Sequence, residues 1–303
     1  MNCKNCLTKP VMVLPNSNIR LCKQHFIKYF ERKVLKTIAK YKLINPNDRA
    51  GVAVSGGKDS FTVLYLLNQL ADKKREFEIM ALAIDEGIKD YRDLKNLKGY
   101  CKEHNINLKI YSFIKEFGFD LDEAMKMTEK TPCAVCGVLR RYVLNSKARE
   151  LKLNKLATGH NLDDEAQSIL MNQIRGNISQ SSRLGPSTGS VMDKKFVQRI
   201  KPLYFMTEKE VKTYSFLKGF PVDFRECKNS FDTFRSEIRD MLNNLEANHP
   251  GSKHSIANSF LEMLPILKEK FSYLEVKPCE KCGEPCSGNV CKACEMIGSI
   301  KRK

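Results

Sequence analysis

The apolar positions of this chain change period along its length. Between residues 26 and 43 they recur at helical spacing, as Phe26, Phe30, Val34 and Ile38 among many lysines, which predicts one amphipathic helix bridging the N-terminal segment to a core. From Arg49 short aliphatic runs alternate with helical stretches: strand 51–54, helix 60–70, strand 78–84, helix 91–104, strand 107–112 and, further on, strand 154–158. Such alternation predicts an α/β fold, a doubly wound, mainly parallel, Rossmann-like sheet covered on both faces, with its ligand at the carboxyl ends of the strands. Residues 176–190 are rich in Gly, Ser and Asn and close with Pro186 and Gly189, which reads as a mobile loop over the site. Helices are expected at 207–218, 231–247 and 254–271. The expected organisation is an N-terminal zinc finger (1–27), a catalytic domain (28–225), a helical extension (226–275) and a C-terminal zinc ribbon (276–303).

One stretch organises the chemistry. Residues 50–60 read A-G-V-A-V-S-G-G-K-D-S, a strand that delivers glycines, a lysine and a serine to a helix start, which makes a cradle for phosphate oxygens. Gly56 and Gly57 allow backbone N–H groups to approach a ligand, Lys58 adds a point charge, and Asp59 is placed to hold a magnesium ion between phosphates. The ordinary P-loop separates its first glycine from G-K-[ST] by four other residues, and this stretch does not. It resembles instead the signature of the PP-loop ATP pyrophosphatases, which split ATP into AMP and pyrophosphate. The bland alternative is a tight strand-to-helix turn with a surface Lys and Asp.

Cysteine usage adds metal chemistry. Cys3, Cys6, Cys22 and His25 form C-x2-C and C-x2-H pairs separated by fifteen residues, and Cys279, Cys282, Cys291 and Cys294 form two C-x2-C pairs separated by eight. Both sets have the spacing of four-ligand tetrahedral zinc sites. The first segment is too short to fold on an apolar core, so metal binding, on the order of 10 kcal/mol or more in such modules, would supply the folding energy. Cys286 is a spare thiol inside the ribbon. Cys133 and Cys136 share the first turn of a helix that begins at Pro132 and continues into Arg140 and Arg141. Alone, that pair reads as half a zinc site, a redox dithiol or part of an iron–sulfur site. Cys227 stands in a polar linker. The second predicted strand ends at Asp85, near the nucleotide loop, and T-G-H-N-L-D-D-E-A-Q at 158–167 takes the strand 154–158 through Gly159 into a helix carrying Asp163 and Asp164. An acidic pair there is commonly a helix cap, but this turn faces the same crevice as the phosphate loop.

The formal net charge is +17 and the pI is near 9.3. Cations spread along the chain favour a polyanion, nucleic acid before a membrane, since no basic amphipathic anchor is visible. No run approaches the ~20 apolar residues of a membrane span and no secretory h-region is seen. A soluble, cytoplasmic protein is the expectation, and cysteines in that compartment read as metal ligands or redox centres.

The phosphate loop, P-C-x-x-C-G-x-x-R-R, G-H-N-x-D-D, the isolated later cysteine and two flanking zinc modules occur together in the tRNA 2-thiouridine synthetases. The chain resembles that family, the TtuA and cytosolic thiouridylase branch, over essentially its full length. The resemblance implies adenylation of a tRNA base and sulfur insertion, with AMP and pyrophosphate as products. It makes Val54, Ser55, Gly56, Gly57, Lys58, Asp59 and Ser60 contacts to ATP, places Asp85 and Gly159 near the nucleoside, and makes Asp164, with Asp163 as a further candidate, the catalytic or magnesium-binding carboxylate. Arg140 would stabilise charge near the reacting groups. Cys133, Cys136 and Cys227 would hold a [4Fe–4S] cluster with one open iron. The implied cofactors are ATP, Mg2+, the cluster and two Zn2+. The implied partners are tRNA, a sulfur donor (a ubiquitin-like thiocarboxylate carrier, a persulfide relay or free sulfide) and a second copy in a homodimer. Two other functions share much of this pattern: a PP-loop adenylating ligase or amidotransferase, which needs no central cysteines, and a non-catalytic zinc-dependent RNA-binding adaptor.

Overall fold

The structure, a computed structural model, describes residues 2–14, 16–74, 76–89, 91, 94–188, 197–222, 227, 229, 233–272 and 277–300. A short antiparallel hairpin, β1 (Met12–Leu14) and β2 (Ile19–Leu21), precedes the helix α1 (Lys23–Lys40). Next come β3 (Arg49–Ala53), α2 (Lys58–Lys74), β4 (Glu78–Asp85), α3 (Lys95–Glu103) and β5 (Leu108–Ser112). The helices α4 (Phe113–Phe117), α5 (Leu121–Lys126) and α6 (Pro132–Glu150) lead to β6 (Lys155–Ala157), α7 (Leu162–Ile174), α8 (Ile178–Ser181) and β7 (Gln198–Ile200). The chain continues through α9 (Glu208–Lys218), α10 (Thr233–Asn248) and α11 (Ser252–Lys270) to the ribbon elements β8 (Lys277–Pro278), β9 (Pro285–Cys286) and α12 (Lys292–Ile300).

Five strands form one sheet in the order β5-β4-β3-β6-β7, every pair parallel. The chain builds outward from β3 in one direction, then returns and builds from β6 in the other. The crevice between the carboxyl ends of β3 and β6 is therefore the topological switch point, where open parallel sheets take their ligands. The expected doubly wound sheet is present. Its last strand, Gln198–Ile200, was not anticipated because three residues carry no readable alternation. The helix expected over 91–104 starts at Lys95, and part of the expected loop 176–190 is ordered as α8, with Ser187 bridging to Ile200 of β7. Residues 189 and 190 lie outside the described residues.

One face of the sheet is covered by α1, α2, α3 and α9. Phe26, Phe30, Val34 and Ile38 of α1 are buried there, and Phe30 stacks on Tyr214 of α9 with ring centroids 4.0 Å apart. The other face is covered by α5, α6 and the ribbon, whose Met296 and Ile300 pack in the same core cluster as Leu139 and Val143. The ribbon is fastened to α6 by polar contacts too. Buried Glu284 accepts from Asn145 at 2.9 Å and pairs with Arg149. No helix among the described residues is long and apolar enough to cross a membrane.

Candidate active site

The strand β3 ends where Val54 N–H donates to Leu82 O (2.8 Å), and the chain then turns through Ser55, Gly56 and Gly57 into α2. Gly56 has φ +82°, a left-handed conformation that side chains with a Cβ rarely adopt. Ser60 Oγ holds the turn closed, accepting from Ser55 N–H at 3.1 Å and donating to Gly57 O at 2.9 Å. The first N–H groups of α2 have no helical acceptor and stand at the positive end of the helix dipole, which favours an anion there. Lys58 Nζ donates to Asp59 Oδ2 (2.9 Å) and to Glu208 Oε1 (3.0 Å). Burial opposes its charge, but the two carboxylates outweigh that and raise its pKa.

From β6 the second turn arrives against the first. A Cβ on Gly159 would stand 2.9 Å from Ser60 N and 3.0 Å from Asp59 C, so only glycine fits this approach. Asn161 joins the two turns. Its Nδ2 donates to Asp59 Oδ1 at 3.0 Å, and its Oδ1 caps α7 by accepting from Asp163 N–H (2.9 Å) and Asp164 N–H (3.2 Å). Asp164 Oδ2 accepts in return from Asn161 N–H at 3.1 Å. This is a capping box, and it places Asp164 beside Asp59. Burial pushes the Asp164 carboxyl up to about 7; the Asn161 N–H opposes that shift, and the charges of Asp59 and Glu165 add to it. Two neighbouring carboxylates at a phosphate loop have the donor chemistry that suits a hard divalent cation.

Asp163 is used differently. Its Oδ2 accepts from Glu208 N–H at 2.8 Å and its Oδ1 from Lys253 Nζ, so it ties α7 to α9 and α11. Both oxygens are engaged in structure. Asp85 ends β4 and accepts from Gly87 N–H at 3.0 Å.

The opposite wall is cationic. Arg140 Nη1 donates to buried Glu86 at 3.3 Å, Lys201 pairs with buried Glu165 at 2.6 Å, and Arg235 reaches Gln167 at 3.3 Å. His160, open to the crevice, has Nδ1 2.8 Å from Thr158 Oγ1. Its surroundings of protein atoms, and then Lys201, Arg140, Arg235 and Arg199, push the imidazole well below its ordinary pKa and keep it neutral. Burial, then the neighbouring Arg141, lowers the Arg199 pKa to about 10. Asn161, His160, Lys201 and Glu208 were not singled out from sequence. Asn161 and His160 lay in plain view inside G-H-N-L-D-D, and Glu208 lay in the T-E-K-E capping box that opens α9. Lys201 had no sequence signal, since only the sheet order brings it to the crevice.

Cys133 and Cys136 lie on the first turn of α6, at the same edge of the sheet, with Cys133 exposed. Cys133 Sγ donates to Asn229 O at 3.0 Å, which brings the segment holding half-buried Cys227 against that turn. Among the described residues the three do not form a single-ion ligand set, whereas two other groups do. Thiolates around a four-iron cube stand further apart than those around one ion, so three cysteines from a helix turn and a facing segment suit the cube's donor chemistry.

The two single-ion groups are Cys3, Cys6, Cys22 and His25, and Cys279, Cys282, Cys291 and Cys294, each with its ligand atoms within 4.8 Å of one another. Donors on one tetrahedral zinc stand roughly 3.5–3.8 Å apart. His25 Nδ1 lies 3.5, 3.5 and 3.2 Å from the sulfurs of Cys3, Cys6 and Cys22, and Cys282 Sγ lies 3.7 Å from Cys291 Sγ. Both groups fit zinc.

Comparison with known proteins agrees with this geometry. Residues 27–246 match the family model described as the PP-loop domain. The chain is 34% identical to the tRNA 2-thiolation protein NcsA of Haloferax volcanii, covering 99% of each chain. It is also 34% identical to the tRNA-5-methyluridine(54) 2-sulfurtransferase of Pyrococcus horikoshii, covering 99% of this chain and 95% of the relative. Among solved structures it resembles the U34-tRNA thiolase NcsA from Methanococcus maripaludis with its [4Fe-4S] cluster, with TM-score 0.86 and 35% identity, covering 99% of this chain and 96% of that one.

Proposed function

This chain belongs to the PP-loop family of tRNA 2-thiolation proteins, and from that premise we propose that it is a cytoplasmic, ATP-dependent sulfurtransferase that converts a tRNA uridine to 2-thiouridine. The observation that carries this reading is the Asn161–Asp59 bond, which welds the phosphate loop to the acidic turn at the switch point, beside the helix start that bears Cys133 and Cys136. A ligase would need the first two features but not the third. An RNA-binding adaptor would need none of them.

The uridine C2 oxygen is a poor leaving group. It therefore attacks the α-phosphorus of ATP, the bond from that phosphorus to the bridging oxygen breaks, and pyrophosphate departs. The N–H groups at the start of α2 and Lys58 hold the departing phosphates, Lys58 exchanging its contacts with Asp59 and Glu208 for phosphate oxygens. Asp59 and Asp164 would hold Mg2+ on the same phosphates. Arg140, Lys201, Arg199 and Arg235 line the wall where the adenylate's negative charge develops. Sulfide then adds at C2, and AMP leaves carrying the former oxygen. The overall change is uridine, ATP and hydrosulfide to 2-thiouridine, AMP and pyrophosphate.

Cys133, Cys136 and Cys227 would hold a [4Fe–4S] cluster. Bound by three cysteines, it would supply one iron without a protein ligand, able to take sulfide from a thiocarboxylated carrier or from free sulfide. The finger and ribbon cysteines, with His25, would hold zinc. Exposed Met241, Leu245, Met263 and Ile266 on α10 and α11 support association of two copies. The test is mass spectrometry of tRNA nucleosides after incubation with ATP, Mg2+ and sulfide. The expected product is 2-thiouridine with one AMP per sulfur, and release of pyrophosphate without thiolated nucleoside would favour the ligase.

A further inference from the structure

A cavity of about 390 Å³ lies away from the crevice, between the N-terminal finger, α1, the first turn of α9 and the start of α11. Its lining is unbalanced in charge. Lys4, Lys28, Arg32 and Lys33 border it, against Glu210 as its one acid. Glu210 is already occupied: it accepts from Tyr29 OH at 2.9 Å and Thr207 N–H at 2.7 Å, and pairs with Lys33 at 3.4 Å. Among the described residues Lys4, Lys28 and Arg32 have no acidic partner. Lys28 and Arg32 are stacked at i and i+4 on α1, an arrangement of like charges that weakens a helix unless an anion lies across it.

His25 supplies the second observation. It borders the cavity and turns Nδ1 to the finger's three sulfurs, leaving Nε2 as its outer nitrogen. Such an outer N–H ordinarily donates to a carboxylate, a carbonyl or water, yet among the described residues it meets no protein acceptor. Three unpaired cations and an unspent donor in one cavity want an oxyanion. The cavity also shares a helical turn with the active site, because Thr207 and Glu210 line it while Glu208 between them reaches Lys58.

We propose that this cavity seats a backbone phosphate of the substrate RNA, so that the finger grips the strand one turn of α9 away from the phosphate loop. The proposal rests on the reading of the protein as a tRNA-modifying enzyme. Inorganic phosphate shares the anion chemistry, but the open cationic stripe of Lys28 and Arg32 leading into the cavity suits a continuous strand.

The test uses the full-length, zinc-loaded protein and tRNA binding measured across a salt series. Lys28→Ala/Arg32→Ala should weaken binding by about tenfold or more and reduce the slope of log affinity on log salt by about 1, the contribution of one phosphate, with zinc content and ATP binding unchanged. Lys73→Ala/Lys74→Ala, at the far end of α2, should leave both readouts at wild-type values. Unchanged affinity and slope in the first variant, with the wild type still binding and thiolating tRNA, would overturn the cavity assignment alone. Equal losses in the two double variants would also overturn it, by reducing the effect to the general field of a basic protein. A wild-type site for inorganic phosphate that disappears in the first variant while tRNA affinity stands would give the cavity to a free anion instead. Absence of any salt-dependent tRNA binding by the wild type would overturn the enzymatic reading and the cavity together.

Discussion

Asp164→Asn should stabilise the free protein while abolishing its activity, and the effect should depend on pH in one direction. Burial holds the Asp164 carboxyl up at about 7 in the fold, well above the ordinary aspartate value of about 3.9. A carboxyl whose pKa is raised by folding favours the native state when protonated. Its contribution is complete below the unfolded pKa and is lost as pH rises through the folded one, here between about pH 4 and about pH 7. A shift of about three units sets a ceiling of about 4 kcal/mol, since one unit is about 1.4 kcal/mol. Roughly half of that, about 2 kcal/mol, should fall between about pH 5.5 and about pH 8. The amide keeps an oxygen to accept from Asn161 N–H, so the cap survives, and the variant should lack this loss. Urea unfolding of both proteins at the two pH values gives a double difference from which zinc dissociation, common to both, cancels. Mg2+ with ATP should stabilise the wild type more than the variant at the higher pH, because the bound cation pairs the charge. An identical stability gap at both pH values would refute the argument that Asp164 is ionised at a cost.

Gly159→Ala should lower ATP affinity by an order of magnitude or more with little loss of global stability, because its Cβ would meet the backbone of Ser60 and Asp59 at about 3 Å; isothermal titration with ATP checks this. Glu284→Ala leaves Asn145 and Arg149 without their shared acceptor and should cost about 2 kcal/mol in urea unfolding, with the ribbon retaining its zinc. Cys133→Ala, Cys136→Ala and Cys227→Ala should each lose iron and thiolation from anaerobically prepared protein while metal analysis still finds zinc. Full thiolation by iron-free protein would instead favour a persulfide carried on one of these cysteines.

The sheet was legible because its central strands, β3, β4 and β6, are largely buried and its helices are long enough to show their period. The phosphate loop and the acidic turn were legible because each packs its chemistry into a few consecutive residues. What sequence did not disclose is pairing across distance. Asp163 and Asp164 are neighbours of the same type, yet one is spent on Lys253 and the α9 backbone while the other stands beside Asp59. Only the placement of α11 separates them. Lys201 and Arg199 reach the crevice because β7 adds to the sheet beside β6, and three residues are too few to announce a strand. The zinc spacings were plain from the outset, but that the ribbon is bolted to the helix of Cys133 and Cys136 through Glu284 required the fold.

The two walls of the crevice carry opposite charge. On one side Asp59 and Glu208 hold Lys58, and burial, with the charges of Asp59 and Glu165 adding to it, raises the pKa of Asp164. On the other, desolvation by the surrounding protein atoms first, and then Lys201, Arg140, Arg235 and Arg199, lower the pKa of the His160 imidazole. Each arrangement raises the energy of the unliganded fold, and helical and core packing elsewhere must offset it. In the proposed reaction a divalent cation would offset the acidic wall, and phosphate would meet the cationic wall beside its existing ion pairs. On the proposed function, metal-nucleotide and RNA would lie in adjoining places, joined in the reaction at the α-phosphorus. The same charges would then act on the bond that must break, which is where preorganised electrostatics has its largest effect on rate.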